Sequence, residues 1–384
     1  MADHRAIIDD LVDRLLAKYG PGDDVSFWGA QFDMGLAWIH FPVGLGGLGM
    51  SSGSQVYVDE RLTSAPRVNR VKNVIGLGMA APTILAHGTP SQQHRWLRPL
   101  YTAEEIWCQL FSEPGAGSDL AGLATRAVRD GDQWVVNGQK VWTSLAHHAR
   151  WGLLLARTDP NIPKHQGLTY FMLDMRQPGV EVRPLRQMTG EADFNEVYLT
   201  DAQIPDEDRV GEVGDGWRVA LTTLMHERVA IGSEQVERSG GLIGETVRRW
   251  QSLADPPRYR RDELIRLWIE AEVCRLTNLR AGQRRRRGTP GPEGSTAKLA
   301  WAELNKRVTD LLVELEGPAG MLYPGGYENP ERHSAGRTFL RARANSIEGG
   351  TSEVLRNILG ERVLGLPGER RVDKDIPWKE ITVA

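Results

Sequence analysis

The stretch Trp134-Val-Val-Asn-Gly-Gln-Lys-Val-Trp142 interrupts a chain that otherwise has the periodicity of helices. Its β-branched and aromatic residues flank Asn137-Gly138, and Asn-Gly between two such runs is the strongest short-range signal for a β-hairpin. We therefore predict two strands joined by a tight turn at this dipeptide. Further runs with strand character follow at residues 151–157, 169–175, 180–185 and 194–200. Their spacing predicts an all-β sandwich or barrel.

Helical patterns flank this β region on both sides. Before it, an amphipathic first helix contains Leu11 and Leu15, residues 71–87 resemble a buried helix, and Pro90-Ser-Gln-Gln93 has helix-start chemistry. After it, long patterns cover residues 216–250, 260–287, 292–315 and 351–364, which favours an antiparallel bundle. The predicted fold class is multi-domain α+β, with an N-terminal helical domain (1–105), a middle β-barrel (106–213) and a C-terminal four-helix bundle (214–384).

The composition excludes several classes of protein. The 384 residues carry a net charge of −3, which argues against a nucleic-acid-binding protein because a basic surface would usually be visible. Cys108 and Cys274 form no C-x-x-C pair, so we predict no disulfide framework, no metal site and a reducing cytoplasmic location. The N-terminal residues lack the pattern of a signal peptide, and no run reaches the roughly 18 apolar residues that would predict a membrane span.

Two glycine-rich segments lead to different structural predictions, one a turn and the other a possible binding loop. Gly44-Leu-Gly-Gly-Leu-Gly49 matches the dinucleotide-binding pattern, but no βαβ unit follows it, so we interpret it as a turn between helices. Phe111-Ser-Glu-Pro-Gly-Ala-Gly-Ser-Asp119 combines a rigid proline with glycines and hydroxyls, and its backbone N–H groups could hold an anion or a ring edge. A plain β-turn is the alternative. Trp142-Thr-Ser144 adds an aromatic face, so a planar cofactor could lie between these two segments.

Together with Gly349-Gly-Thr-Ser-Glu353, these segments resemble the acyl-CoA dehydrogenase family in order and spacing over nearly the whole chain. The resemblance implies an FAD cofactor. It also implies that Ser118 contacts the pantetheine side of an acyl-CoA, and that Thr351 and Glu353 meet the cofactor at a helix start. The flavin contacts implied in the middle region are Gln109, Leu110, Phe111, Ser112, Gly117, Ser118, Trp142, Thr143 and Ser144. Arg284 is the candidate for an arginine that reaches a partner subunit's FAD, although the Phe-Gly that follows this arginine in the family is missing here.

The catalytic base implied by the resemblance depends on one missing side chain. Many family members have Tyr-Glu-Gly-Thr, but here Gly349 occupies the glutamate position and Glu348 falls one residue early. Another branch, which includes the long-chain and isovaleryl enzymes, has its glutamate on an earlier bundle helix, and Glu227 matches that position. Arg228 and Gly350 are further substrate-binding candidates, and the Gly349 N–H would polarise the thioester carbonyl. A salt bridge with Arg228 is the alternative role of Glu227, and a shifted loop would make Glu348 the base.

The resemblance implies that a base removes the α-proton of an acyl thioester while the β-hydrogen leaves as hydride to flavin N5, which gives the trans-2-enoyl-CoA. An electron-transfer flavoprotein is the implied acceptor, and a homodimer or homotetramer is expected. Two alternatives remain open at this point. The chain could be an acyl-CoA oxidase or flavin monooxygenase on the same fold, or a non-catalytic subunit of a hetero-oligomeric dehydrogenase.

Overall fold

The computed structural model describes residues 2–19, 24–63, 70–232, 237–286, 293–323, 325, 334–369 and 371–381. The helices are α1 Ala2–Lys18, α2 Asp24–Asp33, α3 Gln55–Arg61, α4 Ala81–His87, α5 Pro90–Tyr101, α6 Gly216–Gly232, α7 Gly241–Ser252, α8 Arg261–Arg286, α9 Glu293–Leu315, α10 Ala335–Ala342 and α11 Ser352–Arg362. The strands are β1 Trp107–Leu110, β2 Arg126–Asp130, β3 Gln133–Ser144, β4 Trp151–Arg157, β5 Leu168–Asp174, β6 Val180–Leu185, β7 Phe194–Pro205 and β8 Arg209–Val210.

The order of these elements confirms the predicted fold class of helices, then β structure, then helices. The chain divides into two compact units. The first contains Met1–Pro184, Phe194–His226 and Val372–Ala384, and the second contains Leu185–Asp193 and Glu227–Arg371. The three predicted domain boundaries stay a prediction.

Local sequence signals explain the N-terminal helices of the first unit. Helix α5 begins with a capping box in which Thr89 and Gln92 satisfy each other's backbone N–H groups, and Pro90 occupies its first turn. Helix α1 buries Ile8, Val12 and Leu15, which recur at helical spacing. The Gly44–Gly49 segment forms turns between α2 and α3, with Gly44 at φ +85° and Gly46 at φ +86°, as the turn interpretation predicts.

The middle region forms one eight-stranded sheet with the order β6-β7-β3-β2-β4-β5-β8, and β1 pairs in parallel with β4. Strand β4 is buried along its whole length and pairs with β1, β2 and β5. Its residues and those of β5 contribute to the hydrophobic cores on the two sides of the sheet. The predicted runs at residues 151–157 and 180–185 coincide with β4 and β6.

The predicted hairpin at Asn137-Gly138 is wrong, because both residues lie inside the continuous strand β3. The dipeptide forms an irregularity in the pairing with β7, and the Asn137 side chain exchanges two hydrogen bonds with Asp201 across it. A Cβ at Gly138 would come within 2.3 Å of Thr125 Oγ1, so close packing explains this glycine. The hairpin turn instead joins β2 to β3 at Gly131, where φ is +59°.

The second unit is built around helix α9, which packs against α7, α8, α10 and α11. Its core contains Ile243, Leu264, Leu267, Leu304, Val308, Leu311 and Leu315. The single long pattern predicted over residues 216–250 forms two helices, since α6 ends at Gly232 and α7 begins at Gly241. Ser239 and Gly241 adopt positive φ values of +58° and +63° at the start of α7. From its sequence we predict that the glycine- and proline-rich segment Gly288-Thr-Pro-Gly-Pro-Glu-Gly294 separates two of the helical patterns, and residues 288–292 of this segment lie outside the described residues.

Candidate functional site

The loop of residues 111–119, here called the site loop, leaves the buried strand β1 and folds back on itself. Glu113 and Ala116 exchange two backbone hydrogen bonds of 2.9 and 3.1 Å across its turn. Gln109 and Leu110 lie on β1, and the Phe111 ring packs edge-on against Tyr170. Positions 117 and 118 are exposed, and a Cβ added at Gly117 would meet no atom within 4 Å. The loop therefore has fixed ends and an open tip.

The end of strand β3 lies beside this loop. The Val141 N–H donates to the Ser112 carbonyl at 2.9 Å, so the next residues, Trp142, Thr143 and Ser144, follow directly from the contact with the site loop. The structure thus brings together the two segments that the sequence predicted to flank a planar cofactor.

Trp142 has features that buried packing does not explain. Its side chain is 58% exposed, it packs edge-on against Phe194 at 6.0 Å, and its backbone has φ +60°, which is unusual for a bulky residue. Strained backbone is typical of functional sites. The neighbouring Thr143 Oγ1 is buried without a hydrogen-bond partner among the described residues. An exposed aromatic face next to an unsatisfied hydroxyl fits the ring of a flavin, which offers both a π-face and polar ring atoms.

A buried ion pair that sequence reasoning missed fixes the site loop to the sheet. Lys140 Nζ is fully buried and donates to Glu113 Oε1 at 2.8 Å, to the Phe111 carbonyl at 3.1 Å and to the Leu155 carbonyl at 2.8 Å. The Glu113 carboxylate also accepts from the N–H groups of Ala124 and Thr125, at 2.7 and 2.9 Å. Burial opposes its ionisation, but Lys140 and these hydrogen bonds together lower the pKa of Glu113. The pair therefore joins the first part of the site loop to β4 and to the backbone of residues 124–125.

In the second unit, the glycine pair before helix α11 shapes a tight turn. Gly349 and Gly350 have φ values of +63° and +94°, which side-chain-bearing residues rarely adopt, and Lys298 Nζ donates to the Gly350 carbonyl at 2.6 Å. Thr351 is the N-cap of α11 and accepts from the Val354 N–H, as predicted for a helix start. Glu353 lies exposed in the first helical turn.

Glu348 is engaged by cationic and amide donors. Its carboxylate accepts hydrogen bonds of 2.8 and 3.1 Å from the Arg341 guanidinium and one of 2.9 Å from Asn345 Nδ2. Both carboxylate oxygens therefore have donors within the second unit. This pairing could not be predicted from the sequence, because Arg341 lies on the preceding helix α10, which the helical patterns did not predict.

Helix α6 carries Glu227 on the continuation of its buried face. Val219, Ala220 and Thr223 are fully buried, and Glu227 follows Thr223 by four residues, which places both on one side of the helix. Glu227 itself is partly buried. One turn earlier, the Thr223 hydroxyl contacts Thr83 Oγ1 at 2.9 Å and the Tyr170 hydroxyl at 3.0 Å, so this part of the helix is anchored. The side chain of Arg228 lies outside the described residues.

Arg284 is exposed in the last turn of helix α8. Its proposed contact with a partner's cofactor stays a prediction.

Across the described residues, we find no cluster of acidic, histidine and cysteine side chains suited to hold a metal ion. Nor is any described helix both long enough and apolar enough to cross a membrane.

Comparison with known proteins defines the class. The chain belongs to the acyl-CoA dehydrogenase family: the models for its N-terminal, middle and C-terminal domains match residues 7–104, 108–202 and 214–364. It is therefore an oxidoreductase, and FAD is the cofactor of its family. The resemblance seen in the sequence is confirmed, while the branch that carries the earlier glutamate stays a prediction.

Two curated relatives and one solved structure show which members of the family this chain is similar to. It is 42% identical to the acyl-CoA dehydrogenase IpdE1 of Mycobacterium tuberculosis, over 88% of this chain and 86% of that protein. It is also 42% identical to the acyl-CoA dehydrogenase FadE34 of the same organism, but there 88% of this chain spans only 46% of the relative's length. The solved structure of the "Tcur3481-Tcur3483 steroid ACAD" is similar with a TM-score of 0.72 and 25% identity, covering 96% of this chain and 99% of that one.

The exposed tryptophan gives a first testable prediction. Replacing Trp142 with alanine should weaken FAD binding by about 3- to 10-fold, because one aromatic contact contributes about 0.5–1.5 kcal/mol beyond its buried area. The thermal unfolding midpoint of the FAD-free protein should change little, since the side chain is largely exposed. Fluorescence titration of FAD into the apoprotein measures the affinity. Val128→Ala, at another exposed apolar position of the same sheet, is the matched control. Equal FAD affinities for the two variants would contradict a flavin contact at Trp142.

Proposed function

We propose that this chain catalyses the FAD-dependent α,β-dehydrogenation of an acyl-CoA thioester to the trans-2-enoyl-CoA, with Glu227 as the base. FAD supplies the acceptor for the hydride that leaves Cβ. The α-proton is a weak acid, so a carboxylate must face Cα while fixed donors stabilise the charge that develops on the thioester oxygen. The Gly349 N–H is the donor that we assign to this oxygen.

The observation that carries the choice of base is the pairing of Glu348. Its two oxygens already accept three hydrogen bonds from Arg341 and Asn345, so it would have to break an ion pair to act on a substrate. Glu227 follows the buried Thr223 by one helical turn and is itself partly buried. A partly buried carboxylate can serve as a general base when a substrate proton lies within hydrogen-bond reach.

We propose the remaining assignments from the family resemblance. Ser118 at the open tip of the site loop would contact the pantetheine side of the thioester, with Arg228 and Gly350 as further substrate contacts. The likeness to a solved steroid enzyme supports an acyl group that carries a bulky ring system. We further propose an electron-transfer flavoprotein as the acceptor. We also propose a reducing cytoplasmic location, on the basis of the cysteine pattern in the sequence.

An exposed apolar stripe on helix α8 supports an oligomer. Ile265, Ile269, Val273 and Leu276 are each 43–57% exposed and recur at helical spacing on one face. An apolar stripe of this kind favours packing against another subunit. We propose a homodimer or homotetramer. A hetero-oligomer is the alternative that the two-protein name of the similar steroid enzyme favours. Light scattering on the purified chain, alone and with a homologous partner, distinguishes the two.

The experiment that tests the proposed function is anaerobic mixing of the FAD-loaded protein with a panel of straight-chain, branched and steroid-like acyl-CoA thioesters. We expect the visible flavin absorption to bleach fastest with a ring-bearing thioester, and the recovered thioester to have lost two hydrogens. Oxygen uptake with peroxide release in air would favour the oxidase alternative. A protein that binds FAD but is bleached by no thioester in the panel would contradict the proposal.

A further inference from the structure

We propose that residues 372–381, here called the strap, position the site loop for FAD and acyl-CoA binding, with Trp378 and Lys164 as the positioning residues. The proposal rests on the proposed function, because it takes the site loop to be the binding loop. Strap, loop and sheet all belong to the first compact unit.

Backbone hydrogen bonds fix the strap to the connection between β4 and β5. The Trp378 N–H donates to the Ile162 carbonyl and the Lys379 N–H donates to the Pro160 carbonyl, each at 3.0 Å. Pro377 forms an isolated β-bridge with Pro163. Three consecutive residues of the strap therefore have a defined register against the sheet, although more than 200 residues separate the two segments in sequence.

Trp378 forms a hydrogen bond with the backbone of the residues that follow the site loop. Its indole Nε1 donates to the Gly122 carbonyl at 3.1 Å, and the Arg157 guanidinium lies 4.4 Å from the centre of its ring. Arg157 in turn donates to the carbonyls on either side, Ala121 at 2.6 Å and Leu123 at 3.1 Å. The carbonyls of residues 121–123 are thus all taken by this tryptophan and arginine pair.

Lys164 connects the strap to the last residue of the site loop. Its ammonium group donates to Asp119 Oδ2 at 2.7 Å and to Asp373 Oδ2 at 2.5 Å, and its side chain is only 9% exposed. Burial works against the charge, but the two carboxylates outweigh it and raise the pKa of Lys164. Asp119 on the loop and Asp373 on the strap therefore share one buried cation.

The far end of the site loop lies between its exposed residues 117–119 and the buried residues Leu120, Ala121 and Leu123, and the strap contacts act at this junction. Its start is continuous with β1 and bonded to β3 through Ser112, and its turn is held by Lys140. Gly115 and Gly117 pack against nothing within 4 Å at the Cβ position. The end at Asp119 is fixed through Lys164 and through the 121–123 backbone. Releasing the strap should leave the sheet folded but let this end of the loop move.

The test compares the full chain with Trp378→Phe, which keeps a ring over Arg157 but removes the indole N–H, and with a variant that stops after Arg371. Trp134→Phe is the matched control, because its indole also donates one hydrogen bond, of 2.7 Å to Asp206, but at the opposite end of β3 from Trp142. Three quantities are measured: amide hydrogen exchange of residues 111–123, the Kd for FAD, and the KM and kcat for the best thioester.

We expect faster exchange of residues 111–123 in both strap variants, and also of the β4–β5 connection in the variant that stops after Arg371. For Trp378→Phe, the Kd for FAD and the KM should rise by about 5-fold, as expected for one lost hydrogen bond, with little change in kcat. The variant that stops after Arg371 should show a larger rise, of roughly 10-fold or more, because several hydrogen bonds and an ion pair are lost. Trp134→Phe should leave the exchange of these residues and both constants unchanged.

Unaltered exchange of residues 111–123 in the strap variants would overturn the proposal, whatever the chain's activity. Equal effects of Trp134→Phe and Trp378→Phe would also overturn it, since the strap would then contribute only general stability. Failure of the full chain to bind FAD or oxidise any thioester would refute the proposed function instead, and exchange would still decide whether the strap orders the loop.

Discussion

Replacing Glu227 with glutamine should leave FAD bound but slow the anaerobic reduction of the flavin by an acyl-CoA by about 10²- to 10⁴-fold, the range that general-base catalysis contributes. Glutamine has nearly the same shape as glutamate but does not accept a proton. The thioester should therefore still bind without losing its α-proton. Stopped-flow absorbance of the FAD-loaded variant measures the rate, and a parallel titration confirms that the substrate still binds.

Glu348→Gln is the matched control for this prediction. The Glu348 carboxylate is paired with Arg341 and Asn345. In the Glu348→Gln variant, the acyl-CoA should therefore reduce the flavin at nearly the same rate as in the unaltered chain. An inactive Glu348→Gln together with an active Glu227→Gln would reverse the assignment and favour the shifted-loop alternative.

Replacing Lys140 with methionine should lower the free energy of unfolding by about 3–5 kcal/mol, because it leaves the buried negative charge of Glu113 without its cation. Glu113 is 8% exposed at its side chain and would lose its cation while keeping two backbone donors. The hydrogen bond to the Phe111 carbonyl disappears as well, so the site loop should loosen and FAD affinity should fall. Thermal unfolding of the FAD-free protein, followed by circular dichroism, separates the loss of stability from the loss of cofactor.

Two further variants identify the cause. Adding Glu113→Gln to Lys140→Met removes the stranded charge and should restore part of the lost stability. Arg183→Met, which removes the cation of an exposed pair with Glu181, should have only a small effect. A double variant no more stable than Lys140→Met alone would show that the buried charge is not the source of the destabilisation.

Local signals explain why much of the fold could be predicted. The capping residues Thr89 and Gln92 lie three positions apart, and β4 is a continuous apolar run, so neither depends on distant residues. The hairpin prediction failed for the opposite reason. Asn137-Gly138 is a turn signal in isolation, but pairing with β7 and close packing against Thr125 override it.

The candidate site was predictable only where its chemistry lies in short motifs. Trp142 and the site loop could be found because each is a compact run of unusual residues. The Lys140–Glu113 pair joins residues 27 positions apart, and Lys164 contacts Asp373 across 209 positions, so both pairs depend on how distant segments come together in the fold. The pairing of Glu348 was equally hidden, because it depends on the position of helix α10.

The most direct measurement of the central claim isolates proton removal from hydride transfer. A 3-thia-acyl-CoA carries sulfur in place of the β-carbon, so no hydride can leave, and exchange of its C2 hydrogens in deuterated water reports the base alone. We predict that the FAD-loaded chain and Glu348→Gln catalyse this exchange, as followed by mass spectrometry, and that Glu227→Gln does not. Exchange by Glu227→Gln at the rate of the unaltered chain would contradict the assignment of Glu227 as the base.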